Sequence, residues 1–396
     1  MPLQGIKVLD LGQIYNGPYA GFMLAEAGAE VIKVEPLRGD ALRQRTRTGR
    51  NIPWAMAALN QGKKGLALDL KNGQGKALLF DLVRKADILL ENFAPGVLDR
   101  LGCGYKELSV ANPRLIYATG SGFGVDGPDR DNLAMDLTIQ ASSGMMSING
   151  PEGGEPMKAG MALCDFFGGT HLYAAIMTAL YERSVTGVGR MVEVAMIETA
   201  MPVLTTNFSG MFENGGEPMP RRGNKHPSGA SAPYNVYQCE DGYIALLCIR
   251  EEHWQNVMKV IGREDLQDDP RFVDGRTRAK HDTLVDEIVT AWTSTRPKAV
   301  VAKTFQAAHV ASAAVRDLKE IIADPHMRGR GQLYDVTHPE LGNVTLPRSP
   351  LRFHGADRPE PTHSPTLGQH SREVLSDWLS LSQTEIDMLY LEGAVA

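Results

Sequence analysis

Five short apolar runs in the first 120 residues, separated by helix-like or turn-rich stretches, constrain this chain more than any other feature. Residues 6–11 (IKVLDL), 30–35 (EVIKVE), 65–70 (GLALDL), 87–91 (DILLE) and 115–119 (LIYAT) read as strands. Nearly continuous apolar runs of this length suit strands buried on both faces. After the first run, residues 12–17 form a turn. Pro18 then takes a favourable first helical position, and residues 19–27 read as a helix stopped at Gly28. Repetition of this βαβ pattern predicts an α/β fold around a mostly parallel, doubly wound sheet. Glu35 ends the second strand where a ribose-binding acid would sit. The glycines argue against that reading, because Gly12, Gly17 and Gly21 do not give G-x-G-x-x-G.

Further along, residues 121–131 are a loop, and 168–183 and 193–212 are apolar enough to predict two long helices. Residues 214–229 are rich in glycine, proline and charge and read as a linker. Residues 234–249 alternate as a hairpin does, with Asp241-Gly242 at its turn, and helical segments follow over 252–322. This block predicts a smaller α+β domain. Helices over 370–379 and 383–391 close the chain.

Composition excludes several classes. A net charge of −6 without basic bias argues against nucleic acid. No run approaches 18 apolar residues, so no membrane span is expected, and the first ten residues, MPLQGIKVLD, do not resemble a secretory signal. The four cysteines show no C-x-x-C spacing, which predicts neither metal nor disulfide framework and a reducing, cytoplasmic setting.

The chemistry concentrates between residues 133 and 169, where Asp136 and Asp165 sit in unlike surroundings. Asp165 follows Met161-Ala162-Leu163-Cys164 and precedes Phe166-Phe167-Gly168-Gly169. It suits either the N-cap of a helix over 168–183 or a catalytic carboxylate. Cys164 reads more readily as a buried, inert thiol than as a nucleophile. A second concentration is basic: Arg38, Arg43, Arg45, Arg47 and Arg50, then Lys63 and Lys64. It predicts either phosphate binding or a solvated face.

Seven ordered pieces then match one family: VLDLGQIYNGPYAG near the start, GAEVIKVEP, GLALDLKNGQGK, ADILLENFAPGVLDRLG, NPRLIYATGSGFG, CDFFGGTHL and GRMVEVAMIETA. Together they resemble the class III CoA-transferases, the family that includes formyl-CoA:oxalate and carnitine CoA-transferases and the α-methylacyl-CoA racemases. The resemblance implies a Rossmann-like large domain over 1–213, the linker 214–229, a small domain over 230–330, and a C-terminal segment, 331–396, returning to the large domain. It also implies a homodimer whose protomers interlock like chain links.

By the same resemblance Asp165 is the nucleophile. It would exchange CoA between an acyl-CoA donor and a carboxylic acid acceptor through an aspartyl-CoA thioester. No tightly bound cofactor is implied, since coenzyme A is itself a substrate. The Tyr15-Asn16 turn would meet the thioester end. Arg38, Leu68, Lys71, Asn92, Phe93 and Arg100 would hold nucleotide and pantetheine. Met135 and Asp136 complete the set, Asp136 where some relatives carry a glutamate near the nucleophile. Structural roles for both stay open. Oxyanion donors are expected from the glycine N–H groups after Asp165 or from the Tyr15-Asn16 turn. The stretch RRGNKHPSGASAPY stands where relatives have a glycine-rich lid, and its His226 reads as an exposed linker residue ahead of one that reaches the acid substrate. Its arginine and histidine content favours a dicarboxylate such as succinate. A racemase would need a histidine where Met135 stands, and methionine moves no protons. A non-catalytic CoA-binding scaffold would not need Asp165.

Overall fold

The computed structural model describes residues 1–46 and 52–396. Six strands, β1 (Lys7–Asp10), β2 (Glu30–Glu35), β3 (Lys64–Ala67), β4 (Ile88–Glu91), β5 (Ile116–Ser121) and β6 (Met191–Ala195), pair in the order β3-β2-β1-β4-β5-β6. All neighbours are parallel. The strand order reverses between β1 and β4, which makes the C-terminal ends of those two strands the topological switch point of the sheet.

Helices follow the strands: α1 (Asn16–Glu26), α2 (Trp54–Asn60), α3 (Gly73–Val83), α4 (Val97–Arg100), α5 (Tyr105–Ala111), α6 (Asp136–Ser142), α7 (Met145–Ile148) and α8 (Leu163–Thr186). The continuous apolar runs fill both faces of the sheet by simple alternation. Val8, Val31, Ile88 and Leu90 pack with Leu24 of α1 and with Leu172 and Ile176 of α8. Leu9, Ile32, Leu66 and Leu89 pack on the other face with Leu78, Leu79 and Leu82 of α3. The helices Ser371–Leu379 and Gln383–Leu391 add Val374, Leu375, Trp378 and Ile386 to that second core.

The expected helix over 193–212 is not one element. Its start belongs to β6, and two helices follow, Met196–Val203 and Thr205–Glu213. Pairing decided this, since Met191 through Ala195 ladder onto Tyr117 through Ser121. A local helical preference is overridden where an open sheet edge offers a full set of hydrogen bonds. The hairpin β7 (Tyr234–Cys239) and β8 (Gly242–Leu247) forms as expected and gains a third strand, β9 (Ala311–Ala314), inside a stretch read as helical. A further antiparallel pair, Leu333–His338 with Gly342–Pro347, was also not anticipated.

The chain divides into two compact units. One comprises Met1–Ser143, Met161–Ala200 and Ile322–Ala396; the other comprises Gly144–Gly160 and Met201–Ile321. The second has its own core, where Trp254, Val257, Val285, Val289 and Phe305 pack beneath the three-stranded sheet. Among the described residues no helix is long and apolar enough to cross a membrane.

Candidate active site

A layer of buried charge underlies the site. Lys33 lies inside an apolar strand and Asp10 ends another, and both are fully buried. Ions there must be paired. Lys63 Nζ meets Asp10 Oδ2 at 2.7 Å and also donates to the Pro18 carbonyl and to Asn60 Oδ1, both at 2.9 Å. Burial pushes the Lys63 ammonium down to about 8 despite Asp10. Lys33 Nζ donates to the Gly12 carbonyl and to Asp40 Oδ2, the latter at 3.1 Å. Asp40 also accepts from the Leu42 N–H at 2.8 Å and, at 3.3 Å, from the N–H of Ile14. Ile14 has φ +63°, a left-handed conformation that a β-branched residue adopts only when its surroundings enforce it. The network thus fixes the turn that presents Tyr15 and starts α1.

This layer absorbs much of the basic cluster. Arg43 forms a two-pronged pair with Glu35, 2.7 Å on each arm, and is buried. Lys64 bridges Glu30 and Glu373. Arg43 and Lys63 are therefore buried structural ions, neither phosphate ligands nor a solvated face, Lys64 is paired at a partly exposed edge, and Glu35 is not available to a ribose. Arg38 and Arg45 are exposed. Arg47 and Arg50 lie outside the described residues.

Asp165 is the third residue of α8 and is not its N-cap. Ala162 occupies that position without a side-chain bond. The cap comes from α6: Asp136 Oδ1 accepts from the N–H groups of Cys164 at 2.8 Å and Asp165 at 3.3 Å. Gln140 Nε2 donates to Asp136 Oδ2 at 2.6 Å and holds it there. The borrowed cap leaves the Asp165 carboxyl uncommitted, and no hydrogen bond to its oxygens forms among the described residues. Burial first, and the Asp136 charge second, raise it to about 7, while Arg45 pulls the other way. The neighbouring Cys164 thiol is buried and pushed up to about 12, which removes it as a competing nucleophile.

Gly168 and Gly169 do not supply free N–H groups. They sit in the second turn of α8, where backbone N–H groups belong to the helix ladder. Their role is close approach. A β-carbon on Gly168 would stand 2.4 Å from Asn16 Nδ2, and one on Gly169 2.6 Å from the Asn16 carbonyl oxygen. They let α8 settle on the start of α1. Phe166 then stacks on Tyr15 at 6.1 Å and meets Tyr19 edge-on at 4.8 Å. An apolar cavity of 490 Å³ opens beside it, lined by Tyr15, Tyr19, Phe22, Trp54, Ala162 and Phe166 among others.

The other expected binding residues follow the C-terminal ends of β1 to β4: Tyr15 and Asn16, then Arg38, then Leu68 and Lys71, then Asn92, Phe93 and Arg100. Arg38, Lys71 and Arg100 are exposed there, and Phe93 is partly buried against the core. Three of these side chains face inward or are engaged locally. The Asn16 amide is buried between Gly168 and Gly120, and neither polar atom has a partner among the described residues. The Leu68 side chain is in the core, and its backbone forms an antiparallel bridge with Val395. Asn92 is spent across the switch point, accepting from the Gln13 N–H at 2.6 Å and donating to the Gln13 carbonyl at 3.0 Å. Met135 is 48% exposed just before α6. His226 is not an exposed linker residue. It lies partly buried, edge-on to Tyr234 at 5.1 Å, and its segment is tied down by Arg222 and Lys225 on Asp282. Reading the sequence missed Asp10, Lys33 and Asp40. Their signal was charge inside or at the ends of strands otherwise wholly apolar.

A doubly wound sheet with an uncommitted, partly buried carboxylate beside the loop leaving its switch-point strand defines an α/β enzyme. Residues 3–371 match CoA-transferase family III. The chain is 34% identical over 399 residues to succinate–glutarate CoA-transferase of Agrobacterium fabrum, covering 97% of each. It is 33% identical to formyl-CoA:oxalate CoA-transferase of Streptomyces coelicolor, covering 99% of each. A solved CAIB/BAIF family protein from Brucella suis superposes with a TM-score of 0.86 at 30% identity, over 96% of this chain and 99% of that one. The chain belongs to CoA-transferase family III. It is a CoA-transferase, acting on CoA thioesters.

Proposed function

We propose that Asp165 is the nucleophile that carries the acyl and CoA groups. The observation behind this reading is that its carboxyl is uncommitted at the start of α8 because Asp136 does the capping. In the first step a carboxylate oxygen attacks the thioester carbonyl and CoA thiolate leaves, giving a mixed anhydride. The thiolate attacks the aspartyl carbonyl, expels the donor acid and leaves an aspartyl-CoA thioester. The acceptor carboxylate reverses both steps. A carboxylate both attacks and leaves, so a difficult exchange is divided into easier ones.

Each tetrahedral intermediate needs donors at its oxyanion. With the glycines excluded, the first-turn N–H groups of Asn16 and Gly17, unpaired within α1, take that role. Arg38, Lys71 and Arg100 hold phosphates, Phe93 and Tyr15 flank the pantetheine, and Leu68 contributes backbone only. Met135 flanks the site, and Asp136 sets the position and charge of the nucleophile. The names of the relatives support small dicarboxylates, succinyl-CoA-type donors among them, and a cytoplasmic enzyme of carboxylic acid metabolism fits that chemistry. The enzyme works as an interlocked homodimer, a reading supported by a chain that leaves the first unit at Ala200 and re-enters it at Ile322.

The test is incubation with donor acyl-CoA and no acceptor. A CoA-sized mass increment should appear and map to the peptide holding Asp165, and hydroxylamine should convert that side chain to a hydroxamate only after donor is added. Fast transfer with no adduct under any donor rules this mechanism out.

A further inference from the structure

Two guanidinium groups converge on one point at the C-terminal edge of the sheet. A β-carbon on Gly96 would stand 3.2 Å from Nη1 of Arg100 and 3.5 Å from Nη2 of Arg130. Gly96 has φ +77°, and with no side chain it leaves that point open. Arg100 comes from α4, after β4. Arg130 comes from the loop after β5, so the chain brings together two cations that are far apart in sequence. Asp99 is the nearest acid there, its Oδ2 3.9 Å away, and Glu91 lines the adjoining cavity. Among the described residues Arg130 has one ion pair, a loose 3.8 Å contact with Asp131, which is 89% exposed. Arg100 has none among the described residues.

Like charges repel at this spacing, and among the described residues Asp99 forms no ion pair with either guanidinium to offset it. Such a convergence is stable when an anion with several acceptor oxygens joins it, and a phosphoryl group matches two guanidinium forks. The place agrees, because open α/β sheets take ligands outside the carboxyl ends of their strands. Arg130 also lines a cavity of 230 Å³ together with Pro95, Gly96, Asp99 and Tyr117.

We propose that Arg130 joins Arg100 in gripping one phosphoryl group of the CoA nucleotide. The proposal rests on the reading of Arg100 as a CoA contact and adds a second ligand from a loop outside that set. The negative charge of the nearby Asp99 weakens that grip.

The experiment is steady-state kinetics of the full-length enzyme with acyl-CoA and acyl-dephospho-CoA. Arg130→Ala should raise KM for acyl-CoA roughly tenfold and leave kcat within about twofold, as loss of a charged hydrogen bond made equally in ground and transition states does. Its melting temperature should not move, because the side chain is 43% exposed. Arg100→Ala should behave alike, and the double variant should lose less than the product of the two, because both hold the same group. Asp99→Asn should lower KM. If the group is the 3′-phosphate, Arg130→Ala and wild type will share one KM for the dephospho substrate; if it belongs to the diphosphate, they will differ there too. A raised KM for Arg100→Ala with an unchanged one for Arg130→Ala overturns this proposal alone. Unchanged values for both overturn the CoA-site assignment itself. A change confined to the KM of the acid acceptor also overturns the proposal.

Discussion

At the residue scale the site depends on what Asp165 does not do. A helix-starting aspartate ordinarily spends its oxygens on the helix, and an oxygen that accepts backbone N–H groups is a poor nucleophile. Asp165→Ala and Asp165→Asn should therefore lose transfer by at least about a thousandfold while still binding CoA, since neither side chain carries the anhydride and thioester. Equilibrium binding and turnover, measured on the same preparations, check this. The carboxyl sits at about 7 because of burial and Asp136, so kcat/KM should climb with pH through that value and level off above it. The same shift has a stability consequence. The unfolded chain releases this proton near 3.9, so the folded state binds it more tightly between roughly pH 4 and 7. The stabilisation is present below pH 4 and lost as pH rises through 7. Asp165→Asn should gain in melting temperature relative to wild type from pH 5 to pH 8; a constant difference would mean the carboxyl is not shifted.

At the scale of elements, α6 and α8 act as a pair. Asp136 is a cap borrowed from one helix by another, and Gln140 holds it in place. Asp136→Ala removes an acceptor for two first-turn N–H groups and should cost about 1 to 2 kcal/mol of stability, as helix caps do. Asp136→Asn keeps an acceptor oxygen and removes the charge. Its stability loss should be small, while the pH midpoint of kcat/KM should fall below that of wild type. Chemical denaturation and pH–rate profiles on the two variants separate the structural part of Asp136 from the electrostatic part. The seat of α8 on α1 is equally specific: Gly168→Ala would drive a methyl group into the Asn16 amide and should displace Phe166 from its stack on Tyr15.

At the scale of the whole molecule, the first unit is completed by residues distant in sequence. Val374, Leu375 and Trp378 fill the same core as Leu9 and Ile32, so the first unit cannot be finished until the last part of the chain arrives. An interlocked dimer follows from the proposed assembly, and light scattering should give a mass near twice 43.1 kDa that persists on dilution to the lowest active concentration. A folded, active monomer would contradict it.

The sequence by itself determined the parallel sheet, because runs such as VLDL and EVIKVE have no other way to bury both sides, and it marked Asp165 as an acid set among apolar residues. It placed Tyr15, Arg38, Lys71, Phe93 and Arg100 after strand ends, which a doubly wound fold gathers on one edge. It did not decide the state of each side chain. Asp165 suited capping as well as catalysis until Asp136, 29 residues earlier, was found on the N–H groups of α8. Arg43 and Lys63 read as free cations until Glu35 and Asp10 were found against them. Residues 193–195 of β6 read as helix until β5 offered them an edge. The physical reason is common to all three. Periodicity and propensity are local and set by near neighbours in the chain, whereas charge pairing, capping across helices and strand pairing depend on groups that only tertiary structure brings within a few ångströms.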